Sequence, residues 1–173
     1  MSRRTHRSCR HAVVLGCAIA LLSGGALITS AVADSGPFAA FPGHWSGSGV
    51  LHVKDDNKLV TERVRCKATY RVSGGHDVGL ELGCKSDNYK FKLTGNFEAD
   101  NRDRVTGRWS EESHNIGGTA IGSARGNRLR LHAEGSAFSA ELSMVTHSRR
   151  QSVSLDSRGA GKRMTASITL ERR

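Results

Sequence analysis

The fold is decided by residues 60–84, VTERVRCKATYRVSGGHDVGLELGC, in which apolar and polar side chains alternate on both sides of a glycine-rich turn. Such alternation is typical of strands with one buried face, because successive side chains of a strand point to opposite sides. Folded as a hairpin, the stretch places Val72 beside Val78 and Cys66 beside Cys84. Directly opposed residues lie within disulfide range, so the stretch predicts an antiparallel hairpin with a cross-strand disulfide.

Segments with the same alternation recur at regular spacing along the rest of the chain. They predict ten strands, at 45–54, 59–72, 77–85, 88–98, 104–112, 117–125, 128–134, 137–146, 150–156 and 163–171. Hairpins between neighbouring strands give an up-and-down meander, and closing the meander removes its exposed edges. We therefore expect an all-β, antiparallel barrel of about ten strands, with a two-sheet sandwich as the alternative.

The turns between strands predict further pairings. A two-residue turn directly after Glu134 places Ala133 beside Phe138, and a four-residue turn after Cys84 places that residue opposite Tyr89. Each pairing keeps the apolar side chains on one common face, which a slip of a single residue would invert.

The first 33 residues have the three parts of a secretory signal. Four arginines precede an apolar run over residues 12–28, and Ala31-Val32-Ala33 supplies a cleavage motif. The signal predicts a periplasmic or secreted protein. Its removal lowers the formal charge from +10 to +6. A retained membrane anchor and lipidation at Cys17 are the alternatives.

We divide the chain into a signal (1–33), a flexible lead (34–43) and a single barrel domain (44–173), with no transmembrane segment in the mature protein, which we expect to be a monomer. Only Cys66 and Cys84 remain after cleavage, and an even pair in an exported chain favours a disulfide. The bridge would stabilise the fold by about 3 kcal/mol by constraining the unfolded chain. Two buried free thiols, or a metal pair, are the alternatives.

Two acids interrupt the inward-facing apolar pattern, Glu62 and Glu111. A carboxylate inside a barrel is costly unless it is paired, so these residues either lie in water near strand ends or line the opening of an internal cavity. In the second case, neutralising either acid alters ligand uptake without loss of stability. The candidate cavity mouth comprises Glu62, Glu111, Tyr70, Trp45 and Trp109. A ten-strand barrel is wide enough for an apolar cavity, although core packing explains the same apolar residues.

The outward face is distinctly basic. Its candidate anion-binding residues are Arg63, Arg65, Lys67, Arg71, Lys90, Lys92, Arg108, Arg128 and Arg130. Such a face attracts anionic lipid or acidic polysaccharide, unless it is simply solvated. We expect no nucleic-acid partner, because few aromatic residues are available to stack bases and the protein is exported.

Gly43-His44-Trp45 resembles the Gly-x-Trp motif of lipocalins, avidins and related calycin barrels, which implies a lipocalin-like barrel. The runs at 45–49, 65–70, 84–93 and 107–111 resemble a family of small exported bacterial proteins without an assigned activity. The chain is also similar to periplasmic inhibitors of secreted metalloproteases, which act through an N-terminal segment. That resemblance implies an inhibitory role for residues 34–41.

The motifs of common enzyme classes are absent from the sequence, including His-Glu-x-x-His, Gly-x-Ser-x-Gly and phosphate-binding glycine loops. We expect no catalytic residue, no cofactor and no metal. The sequence favours a non-catalytic binding protein, for a small apolar ligand in the barrel or an anionic envelope component on the basic face. A periplasmic protease inhibitor is the alternative.

Overall fold

A computed structural model describes residues 36–55, 58–159 and 161–173. The predicted signal, at residues 1–33, lies outside the described residues. The strands are β1 Gly43–Asp55, β2 Lys58–Ser73, β3 Asp77–Lys85, β4 Lys90–Ala99, β5 Arg104–Glu111, β6 Ile116–Arg125, β7 Arg128–Gly135, β8 Phe138–His147, β9 Arg150–Gly159 and β10 Lys162–Arg172.

Each strand pairs antiparallel with its neighbours in sequence, and β1 also pairs with β10, so the sheet closes into a barrel. The prediction of an all-β, up-and-down barrel is confirmed. The disulfide between Cys66 and Cys84 is also present, with the two Cα atoms 4.1 Å apart on directly opposed positions of β2 and β3.

The turn between β7 and β8 lies later in the chain than the sequence predicts. Ala133 lies opposite Ala140, and the predicted pairing with Phe138 is wrong. Gly135 stays in the sheet because it pairs with both Phe138 and Gly118. A Cβ atom on Gly118 would collide with the backbone of β7, so this position of the closely packed sheet requires glycine.

The turn between β3 and β4 is displaced in the same way. Cys84 lies opposite Phe91, and the predicted pairing with Tyr89 is wrong. Tyr89 belongs to the turn, where its carbonyl accepts the Ser86 N–H at 2.8 Å and its own N–H donates to the Ser86 hydroxyl at 3.0 Å. In both cases the paired residue changes by two positions, so every side chain keeps its predicted face.

Residues 36–42 close one end of the barrel, and we call them the N-terminal plug. Phe38 is fully buried and its N–H donates to the Gly75 carbonyl at 3.0 Å, while Phe41 is only 3% exposed. The Phe41 carbonyl also accepts the Trp45 indole N–H at 2.8 Å. The sequence groups these residues with a flexible lead, but their aromatic side chains are packed in the barrel core.

The last strand holds the plug in place. Arg172 donates to the Ala40 carbonyl, and its guanidinium carbon lies 4.8 Å from the centre of the Trp45 ring. The closed end of the barrel therefore joins the start and the end of the described domain.

Candidate functional site

The two halves of the barrel interior differ in burial. Near the N-terminal plug, inward side chains such as Val105, Ala124 and Leu129 are at most 4% exposed. Towards the opposite end, inward apolar side chains on five strands are only partly buried: Leu82, Leu93, Phe138, Leu142, Leu155, Met164 and Ile168. We call this second region the open half.

The wall of the open half carries several small inward residues. Gly118, Gly135, Ala140 and Ser157 lie on the inward face of β6 to β9. Eight strands already enclose a space that side chains just fill, so a ten-strand barrel with small lining residues leaves more room.

Trp109 belongs to the open half. Its ring centre lies 5.5 Å from that of Phe138, and its indole N–H donates to the Thr119 carbonyl at 3.1 Å. A Cβ atom on Gly135 would lie 3.3 Å from the indole, so the ring packs closely against this glycine of β7.

Glu111 lies near the rim of the open half, but its side chain is fully buried. It accepts the backbone N–H groups of Lys92 at 2.8 Å, Ser113 at 2.9 Å and His114 at 2.8 Å, and it lies 2.7 Å from the His114 ring. Burial alone would raise the Glu111 pKa, but these hydrogen bonds outweigh burial and lower the pKa to about 2. The carboxylate anchors the turn between β5 and β6, so we predict that its neutralisation lowers stability.

Glu62 also lies towards the open half, where it connects β2 to the turn between β3 and β4. Its carboxylate accepts the Asn88 side-chain amide at 2.5 Å and the Asn88 backbone N–H at 3.3 Å. Hydrogen bonds from the side chains of Ser86 and Asn88 lower its pKa, so the group is ionised at neutral pH.

The other two residues of the predicted mouth lie at the closed end. Trp45 is 1% exposed and packs edge-on against Tyr70, with ring centres 6.4 Å apart. The Tyr70 hydroxyl donates to Gln151 Oε1 at 2.8 Å, and the Gln151 amide donates to the Thr146 hydroxyl at 3.1 Å. Burial raises the pKa of Tyr70, so it stays neutral. The structure therefore separates Trp45 and Tyr70 from Glu62, Glu111 and Trp109.

The sequence contains a signal for two features that the prediction missed, the N-terminal plug and the buried Gln151. Phe38 and Phe41 are spaced three residues apart directly after Pro37, as expected for one turn of chain with a shared apolar face. Gln151 alternates with two outward neighbours, Arg150 and Ser152, and therefore faces inward. A buried polar side chain needs hydrogen-bond partners.

The nine predicted anion-binding residues fall into separate groups. Arg71 pairs with Glu81 at 2.5 Å, and Lys92 pairs with Glu112 at 2.6 Å. Three others lie on β5 and β7, in a group that we call the far cations: Arg108, Arg128 and Arg130. Arg130 borders a shallow outer groove that also contains acidic residues.

The remaining four predicted residues lie together on β2 and β4 and are joined by Lys85, which the prediction omitted. We call this set the basic cluster: Arg63, Arg65, Lys67, Lys85 and Lys90. Arg65 lies directly opposite Lys85, which lies directly opposite Lys90. Within the part of the chain that the structure describes, none of the five forms a salt bridge. Like charges in directly opposed positions destabilise a sheet. Repulsion within the basic cluster therefore lowers the stability of the sheet, and a bound anion would reduce that repulsion.

The described ranges contain no cluster of three or more His, Cys, Asp or Glu side chains with the geometry of a metal site. They also contain no helix that is long and apolar enough to cross a membrane.

The solved structures that share the fold include the following two. Rv2717c from M. tuberculosis is 15% identical, with a TM-score of 0.61 over 78% of this chain and 93% of that one. The S-type phycobiliprotein lyase CPES from Guillardia theta is 11% identical, with a TM-score of 0.59 over 79% of this chain and 90% of that one. Both likenesses fit the calycin-like barrel that the Gly-x-Trp motif implies. No protein-family model and no curated protein matches the sequence.

Proposed function

We propose that the protein binds a small, largely apolar ligand in the open half of its barrel and does not catalyse a reaction. The observation that carries this proposal is the group of inward apolar side chains on β3, β4 and β8 to β10 that remain only partly buried, whereas side chains near the plug such as Phe38 and Val105 are almost fully buried. Apolar side chains that keep accessible surface in a barrel interior favour an apolar ligand, because its binding would bury them.

The absence of catalysis is part of the proposal, although one of the similar structures is a lyase. In support, the acid and the phenol buried in the barrel both have their hydrogen-bonding groups engaged within the fold. Glu111 accepts hydrogen bonds from a turn, and Tyr70 donates to Gln151. Neither group is free to exchange a proton with a substrate.

Ligand binding is tested with the exported protein and a neutral apolar dye, 1-N-phenylnaphthylamine. We expect saturable dye fluorescence, and we expect native mass spectrometry of protein from its own host to reveal a bound lipophile. Failure of both measurements would overturn the proposal.

A pair of variants locates the site. Leu142→Trp places a larger side chain at a partly buried position, so we expect a folded protein with weakened dye binding. Leu129→Trp makes the same change at a position that is 4% exposed, where overpacking should cost about 1–3 kcal/mol of stability. Equal destabilisation by both variants would indicate that the open half is filled.

A second binding function, for an anionic envelope component on the outer face, is favoured by the like charges at Arg65, Lys85 and Lys90. We expect salt-sensitive retention on heparin, which the triple change of these residues to Gln weakens. The matched control changes the three far cations to Gln and removes the same net charge. If the two triple variants elute at the same salt concentration, overall charge explains the retention and the cluster is not a site.

The proposal places the protein in the periplasm or outside the cell, in keeping with its disulfide. We propose that the signal is removed before Asp34, which intact-mass measurement of the exported protein tests. The alternative role as a protease inhibitor is disfavoured, because Phe38 and Phe41 of the proposed inhibitory segment are buried in the barrel's own core.

A further inference from the structure

The basic cluster continues onto β1 and the start of β2 as a surface that combines positive charge with exposed apolar side chains. Val50 lies directly opposite Arg63 and is 38% exposed, and Leu59 lies directly opposite Lys54 and is 65% exposed. The described residues have four exposed large apolar side chains, and two of them adjoin this cluster.

The same surface lacks negative charge. The outward positions of β1 from Ser46 to Lys54 and those of β2 from Leu59 to Lys67 carry no carboxylate. Other parts of the outer surface carry ion pairs, such as Arg163 with Asp156 and Arg150 with Glu171. The positive charge on the outward faces of β1 and β2 therefore has no carboxylate beside it within these stretches.

We propose that this surface docks the protein onto an anionic lipid bilayer. The inference rests on the proposed anion binding by the outer face and names its partner. Basic residues are attracted to the anionic headgroups, while Leu59 and Val50 enter the boundary between headgroups and acyl chains. A soluble polysaccharide would engage the cations but would offer no apolar layer to these two side chains.

Docking through this surface would bring the open half of the barrel close to the membrane. Leu59 and Lys90 lie at the ends of β2 and β4 that border the open half. A protein docked in this way holds the open end of its barrel next to the membrane, where an apolar ligand can pass between the bilayer and the interior.

Co-sedimentation with phosphatidylcholine vesicles, with and without phosphatidylglycerol, tests the proposal on the exported protein. We expect binding only to the anionic vesicles, and weakening as salt is added. Each basic residue near an anionic surface contributes about fivefold to the affinity, so the triple variant R65Q/K85Q/K90Q should bind about 100-fold more weakly. The far-cation variant R108Q/R128Q/R130Q should retain most of the binding.

A second pair of variants tests the contribution of the exposed apolar side chains to vesicle binding. Leu59→Ser should weaken vesicle binding about tenfold and leave heparin retention unchanged. Ile121→Ser, at a residue that is 60% exposed on β6, should change neither. Circular dichroism and the intact disulfide confirm the fold of each variant.

The outcomes distinguish bilayer docking from general anion binding by the outer face. Heparin retention without vesicle binding overturns bilayer docking and leaves anion binding by the outer face standing. Loss of vesicle binding in the far-cation variant, or no effect of Leu59→Ser, also overturns docking at this surface. Failure to bind either heparin or vesicles overturns both.

Discussion

Replacement of Glu111 by Gln should destabilise the barrel at neutral pH, although the substitution keeps the size and shape of the side chain. The carboxylate accepts hydrogen bonds from three backbone N–H groups that belong to Lys92, Ser113 and His114. An amide has one oxygen in place of two and turns its own donors towards these N–H groups. Buried donors without an acceptor are costly, so the turn between β5 and β6 should loosen.

The pKa of Glu111 sets the size of the effect. The hydrogen bonds lower it from its usual 4.5 to about 2. At about 1.4 kcal/mol per pKa unit, the ionised carboxylate contributes about 3 kcal/mol to the free energy of unfolding. Because the folded pKa is depressed, this contribution is complete above pH 4.5 and disappears as the pH falls towards 2.

Urea denaturation of the wild type and of Glu111→Gln, at neutral pH and near pH 2, measures the effect. We expect a deficit of about 3 kcal/mol at neutral pH that shrinks at low pH. Glu112→Gln is the matched control, because its neighbouring carboxylate is about half exposed and pairs only with Lys92. The control should change stability by no more than about 1 kcal/mol. The reasoning is refuted if Glu111→Gln is as stable as the wild type at neutral pH, or if its deficit is the same at both pH values.

Three further substitutions test the closed end and the disulfide. Replacing both Cys66 and Cys84 by Ser should lower the free energy of unfolding by about 3 kcal/mol, and adding reductant to the wild type should have the same effect in chemical denaturation. Phe38→Ala should cost about 3–5 kcal/mol, because this side chain is fully buried; a change below 1 kcal/mol would show that the plug is not docked in solution. Tyr70→Phe should cost about 1–3 kcal/mol by leaving the Gln151 oxygen without its donor, and an unchanged thermal midpoint would contradict this account.

The architecture could be predicted from sequence because the alternation of apolar and polar residues along a strand shows which side chains face inward. Val72 and Val78 pair as expected, since the glycine turn between them leaves one register that buries both. Ala133 and Cys84 pair two residues away from the predicted partners, because alternation fixes the face of a side chain but not the length of the turn beside it. Turn length depends on contacts such as the hydrogen bonds between Ser86 and Tyr89, which alternation does not encode.

The candidate site was less predictable, because it depends on which end of the barrel each residue occupies. Trp45 and Glu111 both have inward parity, yet one packs under the plug and the other anchors a turn at the opposite rim. Phe38 precedes the first strand, where no alternation exists to assign a face, so only its spacing from Phe41 could have indicated its burial. Lys85 already lies opposite Arg65 in the predicted hairpin, but its pairing with Lys90 depends on the turn between β3 and β4, which the prediction placed wrongly.

The two ends of the barrel differ in how completely their inward apolar side chains are buried. Partly buried apolar side chains forgo part of the stabilisation that full burial provides, so a barrel with such side chains at one end needs compensation elsewhere. The closed end provides it: Phe38 and Phe41 seal the core, and Tyr70 and Gln151 satisfy each other across the barrel. Changes at the plug should therefore reduce stability with little effect on dye affinity in the surviving folded fraction, whereas Leu142→Trp should do the reverse. This dissociation follows only if one end carries stability and the other carries binding.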